Sequence, residues 1–203
     1  PRITLLASQD RTLREHFCAR ADGHERAAVV LFKRIRISAS SLPQSDRYIA
    51  VAVHPYEDAW VTGSSPSHIA FETRPLREFF RRCEEDSLVF GFAHNHPAGF
   101  PDFSETDCAN ELTLLEAVSN RNGHDVSLVA LLWTRDEWKA RVRTGHVPTE
   151  AVPARHVIVT DRPIRVWLGN GALRSGDTYT RQAAAFGVVA VARELERPLV
   201  RGH

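Results

Sequence analysis

Apolar and polar residues alternate along the chain in short blocks, and each block predicts an element. In "SQDRTLREHFCARADG", Leu13 and Phe17 stack one turn apart. That spacing predicts an opening helix, capped by Ser8 or Asp10 and ended by Gly23. "AAVVLFKRI" (27–35) and "YIAVAVHP" (48–55) are apolar, β-branched runs that predict buried strands, joined by the polar connector "SASSLPQSD". Residues 55–71 scatter Gly, Ser and Pro among single apolar residues. They predict a long loop leading into a short strand near Ile69–Phe71. Pro75 suits the first turn of a helix running to about Glu85.

"LVFGFAH" (88–94) predicts a strand. Ser104 then stands where an N-cap would, with Glu105 and Asp107 in the first turn, and Leu112, Leu115 and Val118 carry that helix to Gly123. "VSLVALLW" and "EWKARVR" predict two partner strands, and "RHVIVT" a further short one. Strands alternating with helices predict a mixed α/β fold. Past residue 160, "RPIRVWLGNGALRSGDTYT" turns polar and glycine-rich, and "RQAAAFGVVAVARELER" predicts a final helix. The expected organisation is one domain over 1–160 and a C-terminal extension over 161–203.

Composition narrows the function classes. At 203 residues and 43% hydrophobic, the chain can bury a sizeable core, which argues against disorder. A net charge of +1 supplies no long-range attraction to nucleic acid or anionic lipid. Cys18, Cys83 and Cys108 show no C-x-x-C pairing, which argues against a disulfide framework and for a reducing compartment. No apolar run approaches a membrane span, and "PRITLLASQD" lacks the layout of a signal peptide. The expected location is the cytoplasm.

"GFAHNHPAGFPDFSETD" (91–107) carries the chemistry. Residues two apart on a strand point to one side, so His94 and His96 at a strand's end aim both rings at one point. The Pro/Gly loop turns the chain back, and Asp107 in the next helix's first turn reaches the same point. Two neutral imidazoles and a carboxylate form a catalytic zinc set with a position left for water. Alone, each residue has a blander reading: a surface histidine, a helix-dipole partner, a cap. Together, after an apolar strand, they point to a metal.

His94-x-His96, seven residues, then Ser104-x-x-Asp107 resembles the signature of the JAMM (JAB/MPN-plus) metalloproteases. "GHERAAVVLF" (23–32) resembles that family's first strand, where a glutamate precedes an apolar stretch, and the order of elements over about 13–160 is also similar. The resemblance implies a JAB/MPN-type (cytidine-deaminase-like) mixed β-sheet flanked by helices. It implies Zn2+ held by His94, His96 and Asp107, Glu25 as general base, and Ser104 donating to a developing oxyanion. Glu57 and Glu72 are rivals of Glu25. Cys108 is expected to turn away, His54 and His68 to be structural or surface residues, and Asp102 to form a turn.

JAMM relatives cleave peptide or isopeptide bonds after the C-terminus of ubiquitin-like proteins, whose tail they hold as an added strand. The implied partner is thus a ubiquitin-like protein and its conjugates. Residues 55–71 are either a wall of that groove or an ordinary surface loop. "YTRQAAAFG" (179–187) resembles the lead-in of bacterial ThiF-like adenylating enzymes, with no Gly-rich nucleotide loop after it. This points to bacterial ubiquitin-like pathways, some of which serve antiviral defence. "AHNHPAG" also resembles the RadC branch of the same fold, with its nucleic-acid-linked role, and a non-catalytic MPN scaffold is a further alternative. A zinc deaminase needs His-x-Glu and a later C-x-x-C, and both are missing.

Overall fold

The computed structural model describes residues 1–20, 22–37, 45–135 and 137–162. The expected C-terminal helix and the ThiF-like stretch lie outside the described residues. Strand β1 (Arg2–Leu6) runs directly into helix α1 (Ala7–Cys18), followed by β2 (Ala27–Ile37) and β3 (Ser45–Pro55). A hairpin, β4 (Val61–Ser65) and β5 (His68–Phe71), precedes α2 (Arg77–Asp86). Then come β6 (Val89–Asn95), α3 (Glu105–Asn122), β7 (Ser127–Thr134), β8 (Glu137–Thr144), β9 (Val147–Pro153) and β10 (His156–Thr160).

Eight strands form one mixed sheet in the order β10-β1-β3-β2-β6-β7-β8-β9, while β4 and β5 pair with each other. β6 and β7 are parallel, with α3 between them, and β2 lies antiparallel to β6 on its other side. The sheet curls, so that β10 at one end approaches β8 near the other.

Strand alternation builds a core on each face of the sheet. Ala27, Val29 and Leu31 of β2 pack with Phe79, Phe80, Leu114, Leu115 and Val118 of α2 and α3. Ala28, Val30 and Phe32 pack with Leu13 and Phe17 of α1 on the opposite face. The class is therefore mixed α/β with helices on both faces.

Several boundaries differ from expectation. Neither Ser8 nor Asp10 caps α1. The helix follows β1 without a loop, Leu6 N donating to Gln9 Oε1 at 2.9 Å, and it stops at Cys18 rather than at Gly23. The stretch 55–71 holds a hairpin rather than a loop with one strand. Pro75 sits in a short 3-10 turn, Arg74–Leu76, just ahead of α2. Strands β1 and β9 were not expected. Ser104 and Gly123 do bound α3 as expected.

Gly91, opposite Val30 on β6, keeps the central strands close. A Cβ there would lie 2.4 Å from Phe32 Cε2 and 2.7 Å from the Val30 carbonyl. Gly91→Ala is therefore expected to destabilise the fold by about 1–3 kcal/mol through overpacking. A lower urea midpoint at unchanged m-value checks this, and a wild-type midpoint contradicts it.

Candidate metal centre

β6 is a central strand, and its carboxyl end delivers the two histidines. His94 is the penultimate residue of β6, and His96 follows directly, its N–H donating to the Trp133 carbonyl at 3.0 Å. The chain turns at once, Gly99 N donating to His96 O at 3.0 Å. Arg135 Nη2 donates to Pro97 O at 3.0 Å and anchors the loop. α3 then starts over the same point, bringing Asp107 in its first turn.

The donor atoms converge. His94 Nε2 lies 3.0 Å from Asp107 Oδ1, His96 Nε2 lies 3.3 Å from Asp107 Oδ2, and the two Nε2 atoms are 3.3 Å apart. Bonds of about 2.0–2.1 Å to a tetrahedral ion put its ligands about 3.3–3.4 Å from one another. The three side chains are 0%, 4% and 3% exposed, so they form a buried cluster able to hold a metal ion.

The tautomers favour a cation. His96 Nδ1 lies 3.1 Å from the Phe100 carbonyl, which can only accept, so Nδ1 carries the proton. The Nε2 of the neutral ring is then a lone pair, and it faces the Asp107 carboxylate and the other imidazole. Such a lone pair needs a proton or a metal ion in front of it. Burial acts to lower the His96 pKa, but the hydrogen-bonded Asp107 carboxylate, the Phe100 carbonyl and the Glu25 charge outweigh it and raise it. Burial acts to raise the Asp107 pKa, but the two imidazoles in front of it and the hydrogen bonds from Ser104 hold it far below the usual carboxylate range. His94 is oriented by packing, its ring stacked on Phe92 at 5.4 Å and tilted against Phe103 at 6.1 Å.

Glu25 arrives from the segment before β2, 2% exposed, with Oε1 3.7 Å from His96 Nε2. Burial, with the nearby Asp107 charge, pushes its pKa up to about 7, against the pull of His96. Glu57 and Glu72, the rivals, are both exposed. Ser104 is fully engaged with Asp107: its N–H and Oγ donate to Oδ2 at 2.6 and 2.8 Å, and Oγ accepts from Asp107 N at 3.1 Å. In this geometry Ser104 orients the Asp107 carboxylate.

Cys108 turns away, its Sγ 3.2 Å from Arg141 Nη2. Asp102 forms a turn, its Oδ1 accepting from Phe103 N at 2.8 Å. His68 is exposed, and His54 packs against Phe79 at 4.9 Å. The residues that sequence reasoning missed are Asn95 and Ser64. Asn95 Oδ1 accepts from Arg26 N at 2.7 Å, and Ser64 Oγ donates to Glu25 O at 2.7 Å. Asn95 sits inside the His-x-His motif and was legible there; Ser64 carries no sequence signal.

No family model matches the chain, and no curated protein matches it. Among solved structures, it is similar to the solution structure of protein DSY2949 from Desulfitobacterium hafniense. The identity is 15%, 78% of this chain and 92% of that chain are covered, and the TM-score is 0.49. No helix among the described residues is long and apolar enough to cross a membrane.

Because the His96 pKa lies above its ordinary value, a metal must displace a proton from that ring near neutrality. Affinity for a divalent cation is expected to fall as the pH drops through the raised His96 pKa, starting above the ordinary imidazole value of about 6.5 and approaching about tenfold per unit below it. Titration calorimetry with Zn2+ over that range checks this. His96→Ala is expected to remove the affinity and its pH dependence together, and pH-independent binding contradicts the assignment.

Proposed function

We propose that the chain is a zinc-dependent peptidase or isopeptidase of the JAMM type, acting after the C-terminus of a ubiquitin-like protein in a bacterial ubiquitin-like pathway. The observation that carries this reading is the meeting of Glu25 with the His94–His96–Asp107 set. Glu25 comes from a distant part of the sequence, yet its carboxylate lies buried 3.7 Å from His96 Nε2. A structural metal site has no need of a fourth ionisable group held at that distance with its pKa near 7. The mixed sheet with helices on both faces, and the motif at the junction of β6 and α3, support a JAB/MPN-type fold.

Two nitrogens and one oxygen at tetrahedral spacing suit zinc. Bound there, the ion would supply Lewis-acid chemistry to water and to a carbonyl oxygen. Glu25 then holds and moves the proton: its carboxylate accepts one from the attacking water and returns it to the departing amine. A pKa near neutrality suits both halves of that exchange. Ser104 fixes the Asp107 carboxylate, so that the ligand set is positioned before substrate arrives. Phe100, 55% exposed beside His96, gives the rim an apolar contact for a polypeptide. Among the described residues the hairpin β4–β5 pairs with no strand of the main sheet, and its edge suits an extended tail added as a strand.

The test uses zinc-loaded protein and a panel of ubiquitin-like domains, each with a short peptide extension after its C-terminus. Cleavage is expected, and chelation is expected to abolish it until zinc is restored. Glu25→Gln is expected to lower kcat on the order of 10²–10⁴-fold while zinc stays bound. Cleavage that survives both chelation and Glu25→Gln contradicts the reading.

A further inference from the structure

Glu25 lacks strand pairing of its own: it precedes β2, which begins at Ala27. Its Oε1 is buried and has no hydrogen-bond partner among the described residues. The carboxylate is therefore aimed by the backbone beneath it, and two clamps hold that backbone. On one side, Arg26 N donates to Asn95 Oδ1 at 2.7 Å and Asn95 N donates to Arg26 O at 3.3 Å. Asn95 lies between the two histidines, so this clamp belongs to the metal frame. On the other side, Glu25 N donates to Ser65 O at 2.9 Å, and Ser64 Oγ donates to Glu25 O at 2.7 Å. This second clamp belongs to β4, in the separate two-stranded sheet.

We propose that Ser64 is a positioning residue for Glu25, through which the hairpin β4–β5 sets the aim of the general base. The inference rests on the peptidase reading. Without the Ser64 hydroxyl, the Glu25 carbonyl loses its donor, and the Glu25–Arg26 peptide is held from one side only, by Asn95. Its Oε1 has no hydrogen bond among the described residues to hold the carboxylate in place when that peptide shifts. Proton transfer is sensitive to small displacements, so turnover falls. Metal binding is spared, because Ser64 makes no hydrogen bond to His94, His96 or Asp107.

The test compares Ser64→Ala and Ser64→Thr in the full, zinc-loaded chain. It measures kcat and KM on the cleaved member of the fusion panel, zinc content, and hydrogen exchange of the Glu25 amide. Ser64→Ala is expected to lower kcat about tenfold. KM and zinc content stay at wild type, and the Glu25 amide exchanges faster. Ser64→Thr, which keeps the hydroxyl, restores both kcat and protection. A Ser64→Ala protein with wild-type kcat and wild-type Glu25 exchange overturns the inference, as does one that loses zinc. If the wild type cleaves no member of the panel, the peptidase reading fails by itself, and Glu25 exchange still decides the role of Ser64.

Discussion

Three polar side chains share one buried point: two imidazoles and a carboxylate whose lone pairs face one another. Burying an ionised carboxylate costs several kcal/mol unless a partner compensates. The Asp107 carboxylate has compensation from behind, where Ser104 donates twice. In front it meets the Nε2 atoms of His94 and His96. The Phe100 carbonyl keeps the His96 proton on Nδ1, which turns its Nε2 toward the carboxylate as a lone pair. A positive charge at that point, a proton or a metal ion, resolves the arrangement. The N-terminus of α3 also favours the Asp107 charge.

The fold is arranged to hold that point. β6 lies between a parallel and an antiparallel neighbour, so its end is fixed by hydrogen bonds on both sides. The packed faces of the sheet leave little room for β6 to shift, as Gly91 against Phe32 shows. The loop after β6 is pinned by Gly99 and by Arg135. Glu25 is carried differently, on irregular backbone between the Asn95 clamp and the hairpin. The two histidines are thus carried by the end of β6 and Asp107 by α3, whereas Glu25 is held between Asn95 of the main sheet and the separate hairpin.

The parts legible in the sequence were those with local causes. His94 and His96 follow from strand alternation, and Ser104 and Asp107 from cap chemistry, both within a single stretch. The buried runs of β2, β3, β6 and β7 were legible because both faces of those strands are covered. β9 was not: "VPTEAVP" carries two prolines and mostly exposed residues, as an edge strand does. β1 was missed because five residues at the chain's start pair with β10 and β3, which lie far away in sequence. The first cap of α1 was misplaced because Gln9 reaches back to Leu6 across a junction with no loop. Ser64 was invisible, since a serine in a polar excursion has no pattern, and its meaning lies in a contact with Glu25.

X-ray absorption at the metal edge of the purified, zinc-loaded protein addresses the central claim most directly. Convergence of His94, His96 and Asp107 predicts one zinc per chain with a shell of nitrogen and oxygen at about 2.0–2.1 Å, and the outer-shell scattering of two imidazoles. A sulfur shell at about 2.3 Å, or an ion with no imidazole scattering, would contradict it.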